Sequence, residues 1–319
     1  MIVSLSSDAL NVINASSLLA TVTLDFWFLE LPIITPRINA ATTNNPPIIY
    51  VITEDGKVYT GSFFEHDFAL HLDNRLKEYE VEDILSYINK NYDSIKNIAR
   101  PSHADYTAHV KYNGYNDYRG GGHFSGRITA PIVAIGSILI KALKEKNIYI
   151  GTHILECGNV KDRKFENIEE DLKNLENKQF PVLDDIETMI TEEIKNVASN
   201  NDSIGGILQT AIIGLPVGLG EPWFSSIEGQ IANAMFSIGG VKGIEFGAGF
   251  SYKELTGSTS NDEFYIENDI VKTKTNNNGG INGGITNGMP IVFNLAVKPT
   301  PSISLEQNTI DFVKNENTT

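Results

Sequence analysis

Half of this chain's arginines and half of its histidines fall inside one short run. Residues 100–131 read RPSHADYTAHVKYNGYNDYRGGGHFSGRITAP, and hold Arg100, Arg119, Arg127, His103, His109 and His123. Five glycines and four tyrosines are interleaved with them. The protein as a whole is acidic, with 25 Lys and Arg against 40 Asp and Glu and a net charge of −15. Gathering scarce permanent cations in such a chain reads as local compensation for a bound anion. Arginine offers a planar fork that matches carboxylate and phosphate, and consecutive glycines let backbone approach a ligand closely. An imidazole such as that of His103 can give or take a proton at neutral pH. The competing reading makes His103 a loop histidine satisfied by Asp105 or a backbone carbonyl. Arg119 is expected to brace the glycine loop by pairing with Asp117 or another acid. Metal ligation by His103, Asp105 and His109 is the minor reading, since no cysteine or further carboxylate cluster accompanies them.

The elements that must hold this run in place alternate along the chain. Pro131–Lys146 reads as a helix, with proline at its first position and lysines in its last turns. Asn147–Glu156 reads as a strand, Leu183–Ser199 as an amphipathic helix and Ile204–Pro216 as an apolar strand. Ser225–Ile238 is expected to be a helix opened by a capping box, Ser225-x-x-Glu228. Val241–Phe246 and Pro290–Val297 complete the strands, the latter after the Asn/Gly tract Asn276–Gly288. The mixed-charge stretch Lys161–Lys178 reads as a connector or helix on an exposed face.

The first ninety residues differ in character. Residues 36–47 read as a loop, Ile48–Thr60 as a hairpin turning at Asp55-Gly56, and Leu76–Asn91 as a helix.

Composition excludes several classes. A sequence pI near 4.8 argues against nucleic acid or an anionic membrane as partner. The apolar run Leu18–Ile34 is broken by Asp25 and Glu30, so it does not read as a membrane span or a secretory signal. The single cysteine, Cys157, cannot form an internal disulfide and reads as a small buried residue in a reducing compartment. The expected location is cytoplasmic.

Taken together, RPSHADYT, DYRGGGHFSGRITAP, DSIGGIL (202–208), GLPVGLGEPWF (214–224), FSIGGVKGIEFGAGF (236–250), NNNGGINGGITNGMP (276–290) and LAVKPTPSIS (295–304) resemble the chorismate synthase family. The resemblance spans roughly residues 91–317. It implies an α+β fold, a β-α-β sandwich whose sheets flank central helices, assembled as a homotetramer. It also implies an FMN-dependent lyase that converts 5-enolpyruvylshikimate-3-phosphate into chorismate, with reduced FMN as cofactor. His103 is then the histidine that interacts with the reduced flavin. Arg100 and Arg127 face the substrate, whose phosphate and two carboxylates call for more than one fork. Carried over as flavin contacts are His123, Phe124, Ser125, Gly239, Gly240, Gly283, Lys298, Pro299, Thr300, Pro301 and Ser302. Without the resemblance, KPTP reads equally as a proline-braced turn after a strand.

The ends depart from the family pattern. Phe-Gly-Glu-Ser-His-Gly, Arg-Arg-x-Pro-Gly and Thr-Thr-Gly-Thr-Pro do not occur in residues 1–90, and the chain stops short of the family's Arg-His-Asp-Pro. Two segments are therefore expected: 1–90, unmatched, and 91–319, the family core. With these motifs missing, the expected turnover is small, and His66 or His71 would have to replace the lost acid. A catalytically silent flavin- or subunit-binding chain is the second reading, and an added interaction module in residues 1–90 the third.

Overall fold

The structure is a computed structural model that describes residues 49–52, 58–61, 95–176 and 178–319. Its framework is a five-stranded sheet, antiparallel throughout. The strands are β3 (Tyr149–Cys157), β4 (Val160–Lys161), β5 (Gly206–Ile213), β6 (Val241–Phe246) and β11 (Ile291–Val297), in the order β4-β3-β5-β11-β6. Both β5 and β6 run antiparallel to β11, so they are parallel to each other with β11 between them. The expected early hairpin is present as β1 (Ile49–Ile52) paired with β2 (Val58–Gly61). Its turn and the helix expected at Leu76–Asn91 lie outside the described residues.

Helices cover the sheet where their apolar spacing allows. Helix α5 (Ile227–Phe236) buries Ile227, Ile231, Ala234 and Met235, a stripe at i, i+4, i+7 and i+8. That stripe packs on Ile212, Ile291, Phe293 and Leu295 of the sheet. Ser226 caps the helix by accepting from the Gly229 N–H at 3.1 Å. The expected box on Ser225 therefore starts one residue too early. A second cluster forms where Ile190 of α4 (Glu187–Ser199) meets Ile154, Cys157 and Val182. Burial and the Glu193 charge push the Cys157 thiol up, away from the reactive thiolate.

The mixed-charge stretch is more than a solvated face. It forms α3 (Ile168–Leu175), whose Leu172 packs over Gly151 of β3 and whose Asp171 is 3% exposed. Arg163 grips that carboxylate with both forks, at 3.1 and 2.6 Å, and the Glu166 N–H adds a third bond at 3.1 Å. These bonds, the Arg163 pair first among them, hold the Asp171 carboxyl below the usual range.

A row of polar side chains crosses the sheet on the face opposite α5. His153 pairs in register with Gln209, Gln209 with Asn294, and Asn294 with Glu245. Glu245 only accepts, so Asn294 must turn its amide nitrogen toward it (2.9 Å) and its oxygen toward Gln209. Gln209 then donates to Asn294 Oδ1 at 3.0 Å. Its own oxygen accepts the Phe165 N–H at 2.9 Å and stands 3.3 Å from His153 Nε2. Asp162 closes the row at 3.1 Å from His153 Nδ1 and also takes the N–H groups of Leu183 and Asp184.

Helix α2 spans Ala130–Lys144 and so starts one residue before the predicted Pro131, which is its second residue, and ends two residues before Lys146; Lys141 and Lys144 lie in its last turn. It leaves Ile135 and Ile138 exposed at 53% and 67%. Together with the preceding 3₁₀ turn, Gly126–Lys144 is the one stretch among the described residues long and apolar enough to cross a membrane by length and composition. Lys144 near its end is paired with Glu176 of the loop after α3, at 2.9 Å.

Candidate functional site

The RPSHADYT run is pinned from the C-terminal side of the chain. The Ala99 N–H donates to Ile310 O at 3.1 Å and the Phe312 N–H to Asn97 O at 3.1 Å. Asp311, in β12 (Thr309–Asp311), forms a bridge with Ile98. Helix α1 (Asp105–Lys111) follows, and its His109 and Tyr106 rings lie 4.5 and 6.5 Å from the Phe312 ring. Residues 100–105 are thus a short connection held at both ends.

Within it, one carboxylate organises the cations. Asp105 Oδ2 accepts from the Arg100 backbone N–H at 3.1 Å and from Arg100 Nε at 2.8 Å. Its Oδ1 takes Arg100 Nη2 at 3.0 Å and stands 2.7 Å from His103 Nδ1. Burial works against ionisation of Asp105, but the bonds from His103 and Arg100 outweigh it and hold its carboxyl well below the usual range. Arg100 Nη2 also lies 3.1 and 3.2 Å from the two ring nitrogens of His103, so guanidinium and imidazole are in contact.

Two distant segments close on this cluster. The first is the glycine loop, a 3₁₀ turn over Arg119–Phe124. A Cβ at Gly121, whose φ is +76°, would stand 3.5 Å from both His103 Nε2 and Ser125 Cβ. The absent side chain therefore brings the loop backbone up to the imidazole. The second is the stretch after β11. Arg100 Nη1 donates to Ser302 Oγ at 3.0 Å, and Lys298 Nζ donates to Ser102 O at 2.6 Å. The Lys298 N–H donates to Gly240 O at 2.9 Å, so the end of β11 carries Gly239-Gly240 alongside.

The structure thus brings together Arg100, His103, Ser125, Gly240, Lys298 and Ser302, with Asp105 at their centre. Thr300 O accepts from Ser203 Oγ at 2.7 Å, which fixes the Pro299–Pro301 bend. His123 and Phe124 are exposed beside the loop, and Arg127 is half-buried with its N–H on Ser125 Oγ at 3.4 Å. The Arg119 side chain and both His66 and His71 lie outside the described residues. Gly283 is not part of this cluster. It occupies the turn between β9 (Ile281–Asn282) and β10 (Ile285–Thr286), where the next residue's carbonyl accepts the Ile227 N–H. That is the opposite end of β11, a strand about 20 Å long at ~3.4 Å per residue. Among the described residues no group of three or more His, Cys, Asp or Glu is arranged to hold a metal ion.

Sequence reading named Asp105 as a possible partner for His103 or a minor candidate metal ligand, not as the organiser of the cations. The signal was its spacing, two residues after the histidine and five after Arg100, at the start of a helix.

The scaffold is an antiparallel α+β fold that closes an arginine–histidine loop against the end of β11. The family model described as chorismate synthase matches residues 85–319. Chorismate synthase of Thermococcus gammatolerans is 47% identical over 220 residues, covering 69% of this chain and 61% of the relative. That of Pyrococcus abyssi is 48% identical over 220 residues, with 69% and 61% covered. A crystal structure of chorismate synthase superposes with a TM-score of 0.56 at 33% identity, over 60% of this chain and 62% of that one. The chain belongs to the chorismate synthase family, and it spans about three fifths of the length of these curated relatives.

Proposed function

We propose that this protein is an FMN-dependent lyase of the chorismate synthase type. Its reaction is the 1,4-anti elimination of phosphate from 5-enolpyruvylshikimate-3-phosphate to give chorismate, on the route to aromatic amino acids. The observation that carries the reading is the closure of KPTPS onto RPSHADYT, through Arg100–Ser302 and Lys298–Ser102. Residues 202 and 196 positions apart meet there as one cationic, hydroxyl-bearing edge.

The chain's own groups suit a flavin. A Cβ at Gly239 would meet nothing within 4 Å, and Gly240 sits at φ +93°, so this backbone is open to a flat ligand. Lys298 spends one of its three donors on Ser102 O and keeps two. With Thr300, Ser302 and the His123–Ser125 loop, it would hold the cofactor. Reduced FMN, when bound, supplies electron density with no net redox change. Arg100 and Arg127 bind and orient the anionic substrate. His103 holds or moves a proton at Nε2, the ring nitrogen that faces Gly121. A cationic pocket that excludes water stabilises the departing phosphate.

The exposed Ile135 and Ile138 of α2 support a further layer over that helix, as in a two-sheet sandwich, and a homotetrameric assembly. Gly283 enters the cofactor site only through such an assembly. A cytoplasmic protein without nucleic-acid or membrane partners completes the reading.

A catalytically silent flavin- or subunit-binding chain is the second reading. It is favoured by residues 1–84, which fall outside the family match and carry none of the three N-terminal motifs. Titration with reduced FMN, followed by a chorismate-release assay without oxygen, separates the two. Flavin binding with turnover supports the lyase, and binding without turnover supports the silent chain. Absence of flavin binding refutes the lyase and the flavin-binding form of the silent chain.

A further inference from the structure

We propose that Asp105 is a positioning residue that fixes which nitrogen of His103 carries the proton and holds Arg100 against the ring. This deepens the functional reading above and rests on it for its consequence, though not for its geometry.

The argument is one of donors and acceptors. The Asp105 carboxylate is acceptor-only when ionised, and its two oxygens already face four groups. Three of these are Arg100 N–H groups, which can only donate. The fourth is His103 Nδ1, 2.7 Å away, which must therefore carry a hydrogen to make a bond. Arg100 Nη2 lies 3.1 Å from Nδ1 and 3.2 Å from Nε2, so it sits over the ring face and takes neither in-plane lone pair. In the neutral ring the Asp105 contact therefore selects Nδ1–H with Nε2 unprotonated. With side chains only 12% and 16% exposed, His103 and Asp105 have little water to offer an alternative.

The consequence concerns the site. Nε2 is the atom left to receive a proton or a hydrogen bond from a ligand over Gly121. Arg100 is docked by Asp105 along one edge, leaving Nη1 on the exposed Ser302 hydroxyl, which an anion can displace.

Asp105→Asn tests this because it keeps the shape and changes one face of the carboxylate into a donor. The amide oxygen is required by the Arg100 N–H and Nε, so the NH₂ group turns to His103 Nδ1. That nitrogen must then accept, and the hydrogen moves to Nε2. The experiment is long-range ¹H–¹⁵N spectroscopy on the full chain, with the His103 signal assigned by its loss in His103→Gln. The expected result is Nδ1–H in the unaltered protein, Nε2–H in Asp105→Asn and a return to Nδ1–H in Asp105→Glu. Nε2–H in the unaltered protein, or an unchanged tautomer in a folded Asp105→Asn, would overturn the proposal. If Asp105→Asn fails to fold, the tautomers of the unaltered protein and of Asp105→Glu still decide it. Reduced-FMN titration of the same variants reports separately on function. An inverted tautomer with unchanged flavin affinity supports Asp105 as the positioning residue and removes His103 from the flavin reading.

Discussion

Replacing Gln209 by Leu asks whether the polar row across the sheet is one connected network. Gln209 is 4% exposed and sits at its centre. Leucine has nearly the same volume, so no cavity arises, and what changes is hydrogen bonding. Two partners are stranded: Asn294 Oδ1 loses the amide at 3.0 Å, and the Phe165 N–H loses its acceptor at 2.9 Å. The contact with His153 at 3.3 Å is too long to count heavily. A buried polar group left unpaired costs about 1–3 kcal/mol, so two cost roughly 2–6. The added apolar surface offsets about 1 kcal/mol at ~25 cal/mol per Å². The expected loss is therefore on the order of 1–5 kcal/mol, centred near 3. Urea unfolding of the full chain, followed by circular dichroism, reads it as a lower midpoint with an unchanged slope. A destabilisation under ~0.5 kcal/mol would show that the partners find other bonds and that the row is not a network.

Three further outcomes are expected. Lys298→Ala removes a cation from the candidate flavin site; with ~1.5–3 kcal/mol per charge-assisted bond, reduced FMN should bind roughly ten- to a hundredfold more weakly. An unchanged dissociation constant would exclude Lys298 from the site. Burial lowers the His153 pKa from 6.5, against Gln209 and Asp162, which raise it. The unfolded chain then takes up a proton that the folded chain resists, so stability is complete above ~6.5 and is lost as pH falls below it. His153→Gln should flatten that slope below about pH 6.5, and parallel curves for the two proteins would count against it. Gly247 sits at φ +56° with its backbone against Asn277 O and Gly279 N. Gly247→Ala should lower the melting temperature by several degrees, a loss of at least ~1 kcal/mol; an unshifted melt would show that the crossing relaxes freely.

The framework was legible where spacing is local. Val241–Phe246 reads as a strand with its observed ends, the ends at Ser199 and Val297 also coincide, and the remaining ends of the strands and helices beside it differ by one to four residues. Arg100, His103 and the glycine loop were legible because the groups that do the chemistry sit within a few positions of one another. What joins them was not. The contacts of Arg100 with Ser302 and of Lys298 with Ser102 depend on a strand order in which residue 297 ends beside residue 241, and no spacing rule encodes that. The charge pattern of Lys161–Lys178 hid Asp171, because periodicity cannot distinguish a solvated acid from one gripped by an arginine. The cap at Ser226 rather than Ser225 turned on a single residue, a distinction that adjacent serines do not make in one dimension.

The place of β11 in the sheet also sets an order of events during synthesis. Strands β5 and β6 leave the ribosome well before residues 291–297, yet neither pairs with the other. Until residues 291–297 emerge, both wait with an open edge, the state in which nascent chains are most exposed to misassembly. When β11 inserts, Lys298 and Ser302 follow within five residues and meet Ser102 and Arg100. Closing the sheet and completing the candidate site are then one step, so a nascent chain stalled before that point carries neither.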